Sequence, residues 1–249
     1  MSLENLQNSL QGKVAVITGA SAGVGWHTAK LFARQGARVV VTARRKERLK
    51  QLVEEIRATG GEAVYFAGDA STEECAKSTI DIALRSFGRL DILINSAGQG
   101  NYKNVVETSL AEYDQLMNSN MRSSFIFSRI AAPHFIAQRA GTLLFISSVS
   151  GTQSYAGEAV YCATKHAQVG FALALDGELR HYGVKVGVLC PGGIKTEFAV
   201  GKGRTVEGIA ASTMMEPSEF AEDILLVCLQ PEGNRIVQMM IRPMGEAHS

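Results

Sequence analysis

The chain has 249 residues, of which 46% are hydrophobic and 20% charged, and this balance excludes a disordered chain. Its formal net charge of +1 provides no large basic field for nucleic acid. The length leads us to expect one globular domain over residues 1–249. No run of about 18 apolar residues or apolar signal core is present, and the four cysteines have no metal-ligand spacing, so we expect a cytoplasmic protein with no membrane contact and no bound metal.

Short β-branched runs alternate with helical patterns along the whole chain. Strands are predicted at 14–17, 38–42, 63–66, 90–94, 142–147, 184–189 and 236–241. Helices are predicted from the first glycine-rich turn to about residue 35, and at 45–59, 72–87, 109–138, 160–182 and 218–229. This alternation predicts a parallel sheet with helices on both faces, which is a doubly wound α/β fold. Its ligand cleft is expected at the carboxyl ends of the strands, where the strand order reverses.

A glycine-rich turn joins the first strand to the first helix. Gly19, Gly23 and Gly25 follow the spacing G-x-x-x-G-x-G, not the commoner G-x-G-x-x-G. Glycine permits positive φ and close backbone approach, and a helix N-terminus offers unpaired N–H groups to a pyrophosphate. Ser21 adds a hydroxyl donor. The alternative is a plain tight turn, whereas the missing Gly-Lys-Ser/Thr excludes a nucleoside triphosphate loop.

The same turn also matches the G-x-S-x-G pattern of serine hydrolases. In that interpretation Ser21 is the nucleophile, and Asp223 with His248 supplies the acid and the base in the required chain order. However, only 18 residues precede Gly19, too few for the strands and oxyanion loop of a hydrolase, and His248 is the penultimate residue. The hydrolase is therefore kept only as a minor alternative.

The residues after the second strand bear on the choice of coenzyme. An acidic residue there would bond the adenosine ribose hydroxyls and repel a 2′-phosphate. This chain instead has Ala43 followed by Arg44 and Arg45, and a guanidinium suits a phosphate. We therefore expect NADP(H) to be preferred over NAD(H). The alternative, stronger for Arg45 than for Arg44, is that these arginines merely begin a charged helix.

Tyr161 and Lys165 are four residues apart, so they share one face of the predicted helix 160–182. A fixed positive charge favours the phenolate and lowers the pKa of a tyrosine, which makes the pair a possible acid/base catalyst. Alone, such a pair is usually a surface contact, and only the other motifs favour the catalytic interpretation.

Three motifs in this order, Thr18-Gly-x-x-x-Gly-x-Gly25, Asn95-x-Ala-Gly98 and Tyr161-x-x-x-Lys165, resemble those of the short-chain dehydrogenase/reductase family. The resemblance extends from about residue 12 to the C-terminus. It implies a Rossmann-like three-layer sandwich with a seven-stranded parallel sheet and a nicotinamide dinucleotide. It also implies a coenzyme-binding set, namely Gly19, Ser21, Ala22, Gly23, Val24, Gly25, Arg44, Arg45, Asp69, Ala70, Asn95, Ala97, Gly98, Tyr161, Lys165, Pro191, Gly192, Ile194 and Thr196.

The resemblance further implies a catalytic group of Asn120, Ser148, Tyr161 and Lys165. Ser148 lies 13 residues before Tyr161, as the family pattern requires. In the implied hydride transfer between nicotinamide and a carbonyl or secondary alcohol, Tyr161 exchanges the proton and Ser148 orients the substrate oxygen. Lys165 lowers the tyrosine pKa and bonds the nicotinamide ribose. Asn120 is expected to hold a water in a proton relay from Lys165.

The substrate is left open. The loop at about 192–217 is expected to be a mobile lid for a small hydrophobic or mixed substrate. The end of the chain, 242–244, resembles that of small reductases acting on hydroxy acids, hydroxy amino acids or aldehydes. A 3-ketoacyl carrier-protein reductase is the runner-up, with a basic patch at Arg122, Arg129 and Arg139. A non-catalytic NADP-binding sensor is a third possibility.

Apolar stretches at 125–127 and 169–175 lie in two of the predicted helices. One sheet face cannot cover this much apolar surface, so we expect a homo-oligomer, either a tetramer or a dimer. The alternative is deep burial within one subunit.

Overall fold

The structure is a computed structural model that describes residues 8–246. These residues form seven strands: β1 (Val14–Thr18), β2 (Arg38–Ala43), β3 (Glu62–Ala67), β4 (Ile92–Asn95), β5 (Gly141–Ile146), β6 (Val184–Pro191) and β7 (Gln238–Ile241). All strand pairs are parallel, in the order β3-β2-β1-β4-β5-β6-β7. The predicted α/β fold with a seven-stranded parallel sheet is confirmed.

Helices cover both faces of this sheet. They are α1 (Gly23–Arg34), α2 (Lys46–Ala58), α3 (Glu73–Phe87), α4 (Leu110–Met117), α5 (Ser123–Gln138), α6 (Ala159–Leu179), α7 (Val206–Ala211) and α8 (Pro217–Cys228). Helices α1, α2 and α8 bury apolar side chains in one core, and α3, α5 and α6 do so in a second core on the opposite face. The molecule therefore has three layers.

Strand β1 shows why the sequence reads as uninterrupted apolar runs. Successive side chains of a strand point to opposite faces. Ala15 and Ile17 enter the core of α1, α2 and α8, whereas Val14 and Val16 enter the other core. Because both faces are covered, every position of the strand is buried.

The strand order reverses at β1, which lies between β2 and β4. Thr18 ends β1, and its hydroxyl accepts hydrogen bonds of 3.0 Å from the backbone N–H groups of both Ser96 and Ala97. The two neighbouring strand ends are thus joined at the switch point, where doubly wound folds bind ligands.

The prediction of one uninterrupted α-helix over 109–138 is wrong. Helix α4 is followed by a π-helical turn, Asn118–Arg122, and only then by α5. The hydroxyl of Ser124 donates to the carbonyl of Asn120 at 2.8 Å, which helps to satisfy a backbone acceptor at the turn. The periodicity of apolar residues does not reveal this change of winding.

The predicted loop at 192–217 also contains a short helix, α7, which begins after Thr205. The Thr205 hydroxyl accepts from the backbone N–H of Gly208 at 3.0 Å and caps the helix. Within residues 8–246, no helix combines the length and the apolar character needed to cross a membrane.

Candidate active site

The glycine-rich turn after β1 has the conformation that its glycines suggested. Gly19 and Gly23 adopt φ values of +69° and +55°. A Cβ on Gly19 would lie 2.7 Å from the Cα of Ala97, and one on Gly25 would lie 2.9 Å from the Cα of Ala20. Larger residues would therefore push apart the turn, the end of β4 and the start of α1.

The N-terminus of α1 opens onto this turn without a cap. Its N-cap residue, Ala22, has no capping side chain, and the first helical turn contains no acidic residue. The first N–H groups of the helix thus have no competing acceptor from a cap, and the helix dipole favours an anion there. This arrangement fits the diphosphate of a dinucleotide.

A cavity of about 940 Å³ lies at the carboxyl ends of the strands. Nearly all the residues named from the sequence line it: Gly19, Ser21, Ala22, Gly23, Val24, Gly25, Arg44, Arg45, Asp69, Ala70, Ala97, Gly98, Ser148, Tyr161, Lys165, Pro191, Gly192, Ile194 and Thr196. Asn95 and Asn120 lie behind its wall and are buried. The structure therefore brings all the predicted coenzyme residues except Asn95, and three of the four predicted catalytic residues, to one continuous cavity.

Tyr161 lies in an aromatic cluster. Its ring centroid is 5.8 Å from that of Tyr102 and 5.9 Å from that of Phe198. The guanidinium of Arg204, from the loop after β6, lies 5.5 Å above the Tyr102 ring and 5.9 Å above the Phe198 ring. Sequence analysis missed Tyr102 and Arg204, because neither belongs to a motif and the chain distance to Tyr161 is long.

Burial governs the protonation of Tyr161. It raises the pKa of the phenol well above the ordinary tyrosine value, while Ser148 and Arg204 act in the opposite direction. The expectation that Lys165 brings this pKa toward neutrality is wrong for the protein by itself. The phenol is protonated at neutral pH and can donate a proton.

Lys165 is buried as well, with 4% of its surface exposed. Its Nζ donates to the carbonyl of Ile146 and to Oε1 of Gln168, both at 2.9 Å, and lies 5.8 Å from the centre of the Tyr161 ring. Burial lowers the pKa of the ammonium to about 7.

Asn120 occupies the π-helical turn, and its side chain is fully used. Oδ1 accepts from the backbone N–H of Gln99 at 2.7 Å. Nδ2 donates to the Gln99 carbonyl at 3.0 Å and to the Thr164 hydroxyl at 2.9 Å. Asn120 therefore ties the segment after the Asn95-x-Ala-Gly98 motif to α6.

The loop after β6 lies against the glycine-rich turn that follows β1. A Cβ on Gly23 would come within 2.9 Å of Cγ2 of Thr196. Next to it, Glu197 accepts a 2.7 Å hydrogen bond from Arg45, whose Nε also donates to Ser21 Oγ at 3.0 Å. Arg44 is exposed and forms no ion pair with any residue from 8 to 246. The two adjacent arginines are thus in different situations.

The end of the chain secures the start of the same loop. Glu246 accepts from the backbone N–H of Gly193 at 2.9 Å and pairs with Arg242 at 3.0 Å. Arg242 also donates to the Tyr155 hydroxyl at 3.1 Å and to the Gln153 side chain. The C-terminal segment 242–244, whose sequence resembles that of small reductases, is therefore part of the cavity wall.

The hydrolase arrangement finds no support in the described residues. The Ser21 hydroxyl accepts from Arg45, and no hydrogen bond joins it to a histidine anywhere in residues 8–246. Asp223 lies on α8 and does not line the cavity. His248, the histidine of that interpretation, lies outside the described residues.

Known proteins are similar to this chain in sequence and in fold. The family model described as "short chain dehydrogenase" matches residues 13–207. An uncharacterized oxidoreductase of Thermotoga maritima is 36% identical over 191 residues, 76% of this chain and 74% of the relative. An uncharacterized oxidoreductase of Staphylococcus aureus is 32% identical, over 94% of this chain and 98% of the relative.

Two solved structures are similar in both fold and sequence. A metagenomic short-chain oxidoreductase in complex with NADP has a TM-score of 0.82 and 33% identity, and the match covers 96% of this chain and 100% of the other. An alcohol dehydrogenase of the archaeon Thermococcus sibiricus, complexed with 5-hydroxy-NADP, has a TM-score of 0.87 and 25% identity, with 95% and 99% covered. Together with the matched family model, these similarities identify the chain as an oxidoreductase of the short-chain dehydrogenase/reductase family.

Proposed function

We propose that the protein is an NADP(H)-dependent oxidoreductase acting on the carbonyl or secondary alcohol of a small substrate. The observation that carries this proposal is that Ser148, Tyr161 and Lys165 line the same cavity as the uncapped N-terminus of α1. When bound, the nicotinamide supplies or accepts the hydride. The chain supplies the binding surface, the orientation and the proton.

Each catalytic side chain has a role that fits its surroundings. Tyr161, kept protonated by burial, donates its proton to the substrate oxygen as the carbonyl is reduced. Ser148, two residues after the end of β5, donates a hydrogen bond that orients the same oxygen. Lys165 has a third N–H group free for the nicotinamide ribose, because two are used within the protein. Asn120 holds the framework behind them.

NADP(H) is proposed over NAD(H) because of the end of β2. Ala43 leaves space where a carboxylate would repel a 2′-phosphate, and the exposed Arg44 lines the cavity without an ion-pair partner among the described residues. Two similar solved structures carry NADP or 5-hydroxy-NADP, which supports the same choice.

The substrate end of the cavity is aromatic but also charged. Arg204 lies over the rings that contact Tyr161, and Glu158 accepts a 2.9 Å hydrogen bond from Ser150. Neither charge forms an ion pair with a residue in 8–246. These features favour a small polar substrate, such as a hydroxy acid or its keto acid, over a purely apolar one.

A 3-ketoacyl carrier-protein reductase would need its basic side chains close together, in one patch that binds an acidic carrier protein. Arg122 precedes α5 and donates to the Ser71 carbonyl, whereas Arg139 follows α5 and donates to the His181 carbonyl. The two lie at opposite ends of a 16-residue helix, about 24 Å long. This separation favours a free small molecule over an acidic carrier protein.

The test combines binding with turnover. Purified protein is titrated with NADPH, and the absorbance of NADPH is then followed with aldehydes, 2- and 3-keto acids, keto esters and 3-ketoacyl thioesters. Saturable binding and oxidation by a keto acid or an aldehyde would support the proposal. Tight binding without turnover of any substrate would favour the sensor, and turnover restricted to thioesters would favour the carrier-protein reductase.

A further inference from the structure

A polar side chain that no motif singled out lies next to the catalytic lysine. Gln168, one helical turn after Lys165 on α6, is completely buried, as is Thr164 on the same helix. A buried amide is costly unless its polar atoms are hydrogen-bonded. The Gln168 amide meets this requirement, and its partners are parts of the proposed catalytic machinery.

The Gln168 amide joins Lys165 to the π-helical turn. Its Oε1 accepts from Nζ of Lys165 at 2.9 Å, and its Nε2 donates to the backbone carbonyl of Asn120 at 3.0 Å. Nε2 also donates to the hydroxyl of Ser124 at 2.8 Å. Two anchored hydrogen bonds on the nitrogen fix the position of the oxygen that receives the lysine.

The lysine ammonium has three N–H donors. Gln168 takes one, and the carbonyl of Ile146, at the end of β5, takes another at 2.9 Å. Both acceptors are held by buried secondary structure, so they set the direction of the third donor. Lys165 lines the cavity, and the third donor is the one left for a ligand there.

We propose that Gln168 is a positioning residue, whose side-chain amide holds the Lys165 ammonium and directly connects Lys165 to Asn120, a connection expected from the sequence to involve a water. The inference rests on the proposed function only for the role of Lys165. The connection from lysine to the π-helical turn is thereby built from protein groups.

Neutral groups, rather than carboxylates, surround the Lys165 ammonium. Within residues 8–246, Lys165 forms no ion pair with a carboxylate. Tyr161 faces it from the same helix, and Cys190 faces it from β6. Burial raises the pKa of the Cys190 thiol, so this group is uncharged at neutral pH. The ammonium is therefore stabilised mainly by the Gln168 and Ile146 oxygens, and Gln168 is the one that mutation can change.

Two substitutions of opposite effect test the proposal. Gln168→Met keeps the length of the side chain but removes the amide, whereas Gln168→Glu places a carboxylate beside Nζ. The titration of Lys165 is followed by NMR of its ¹³Cε, assigned with Lys165→Met. We expect its midpoint to fall by about one pH unit in Gln168→Met and to rise by about one pH unit in Gln168→Glu, each unit being tenfold in the protonation equilibrium.

A matched control is Thr79→Val, which removes a fully buried hydroxyl that donates to the Cys75 carbonyl on α3 at 2.7 Å. This control should leave the Lys165 midpoint unchanged. A midpoint depends on the folded molecules only, so partial unfolding lowers signal without moving it. If Gln168→Met does not fold, Gln168→Glu alone decides. An unchanged Lys165 midpoint in the folded Gln168 variants would overturn the proposal.

Turnover separates this proposal from the broader one. Where coenzyme oxidation is measurable, the alkaline limb of the pH profile of kcat should move with the Lys165 midpoint, which a merely structural glutamine would not cause. Suppose that none of the tested substrates causes wild type to oxidise NADPH, while the Lys165 midpoint still responds to substitution of Gln168. In that case the proposed function fails and the role of Gln168 in holding the lysine stands. If turnover is present but neither its pH profile nor the midpoint responds, the positioning role fails alone.

Discussion

The proposed preference for NADP(H) can be tested at two adjacent arginines with different surroundings. Arg45 already shares its charge with Glu197 and bonds Ser21, whereas Arg44 is exposed at the cavity with no ion pair among the described residues. Replacing Arg44 with alanine should therefore remove most of the preference for NADPH. Replacing Arg45 with alanine should remove less of it, because that guanidinium is partly neutralised.

The magnitude follows from one charge-assisted contact with the 2′-phosphate. Such a contact contributes about 1.5–3 kcal/mol, and about 1.4 kcal/mol corresponds to a tenfold change in affinity. The preference should therefore be roughly ten- to a hundredfold. Because Arg44 is exposed, solvent and salt screen it, and we expect values near tenfold at physiological ionic strength.

The assay is a fluorescence titration of wild type, Arg44→Ala and Arg45→Ala with NADPH and NADH at two salt concentrations. Arg44→Ala should weaken NADPH binding about tenfold and leave NADH binding nearly unchanged. Adding Ala43→Asp to Arg44→Ala should reverse the preference, since a carboxylate bonds the ribose hydroxyls and repels the phosphate. Equal affinity of wild type for both coenzymes, or an Arg44 variant that retains its preference, would refute this reasoning.

Three further outcomes are expected. Tyr161→Phe should bind NADPH normally but lose about 10²-fold or more in turnover, because the ring remains and the proton donor is gone; unchanged turnover would remove Tyr161 from the mechanism. Burial lowers the Lys165 pKa to about 7 from 10.5, so the unfolded chain binds a proton that the native state lacks between these values, and native stability gains with rising pH. Denaturant unfolding should show this gain in wild type relative to Lys165→Met, and parallel pH dependences would contradict it. Phe125 and Leu173 remain 45% and 42% exposed, so light scattering should show a homo-oligomer that Phe125→Glu dissociates; a monomeric wild type would favour deep burial within one subunit.

The sequence predicted the frame of the site because that frame depends on local rules. Strands buried on both faces read as apolar runs, and a turn that needs positive φ needs glycine, as at Gly19 and Gly23. Tyr161 and Lys165 are one turn apart on a helix, so their proximity was also a local property.

Other parts of the site arise from contacts between distant segments, which spacing does not encode. Arg204 reaches the tyrosine through Tyr102 and Phe198, and Gln168 meets Asn120 only because α6 packs against the π-helical turn. The pKa of Tyr161 was misjudged for a related reason. Charge proximity is visible in a sequence, whereas the extent of desolvation is known only once the helix is packed.

The two cores on opposite faces of the sheet have a consequence for how the effects of substitutions combine. The turn before α1 and the segment between β2 and α2 that carries Arg44 adjoin the layer of α1, α2 and α8, whereas Tyr161, Lys165 and Gln168 belong to α6 in the other layer. Substitutions in separate, non-contacting regions usually add in free energy. Under the proposed function, substitutions at Arg44 and at Gln168 should therefore have nearly additive effects, because the two residues lie in different layers.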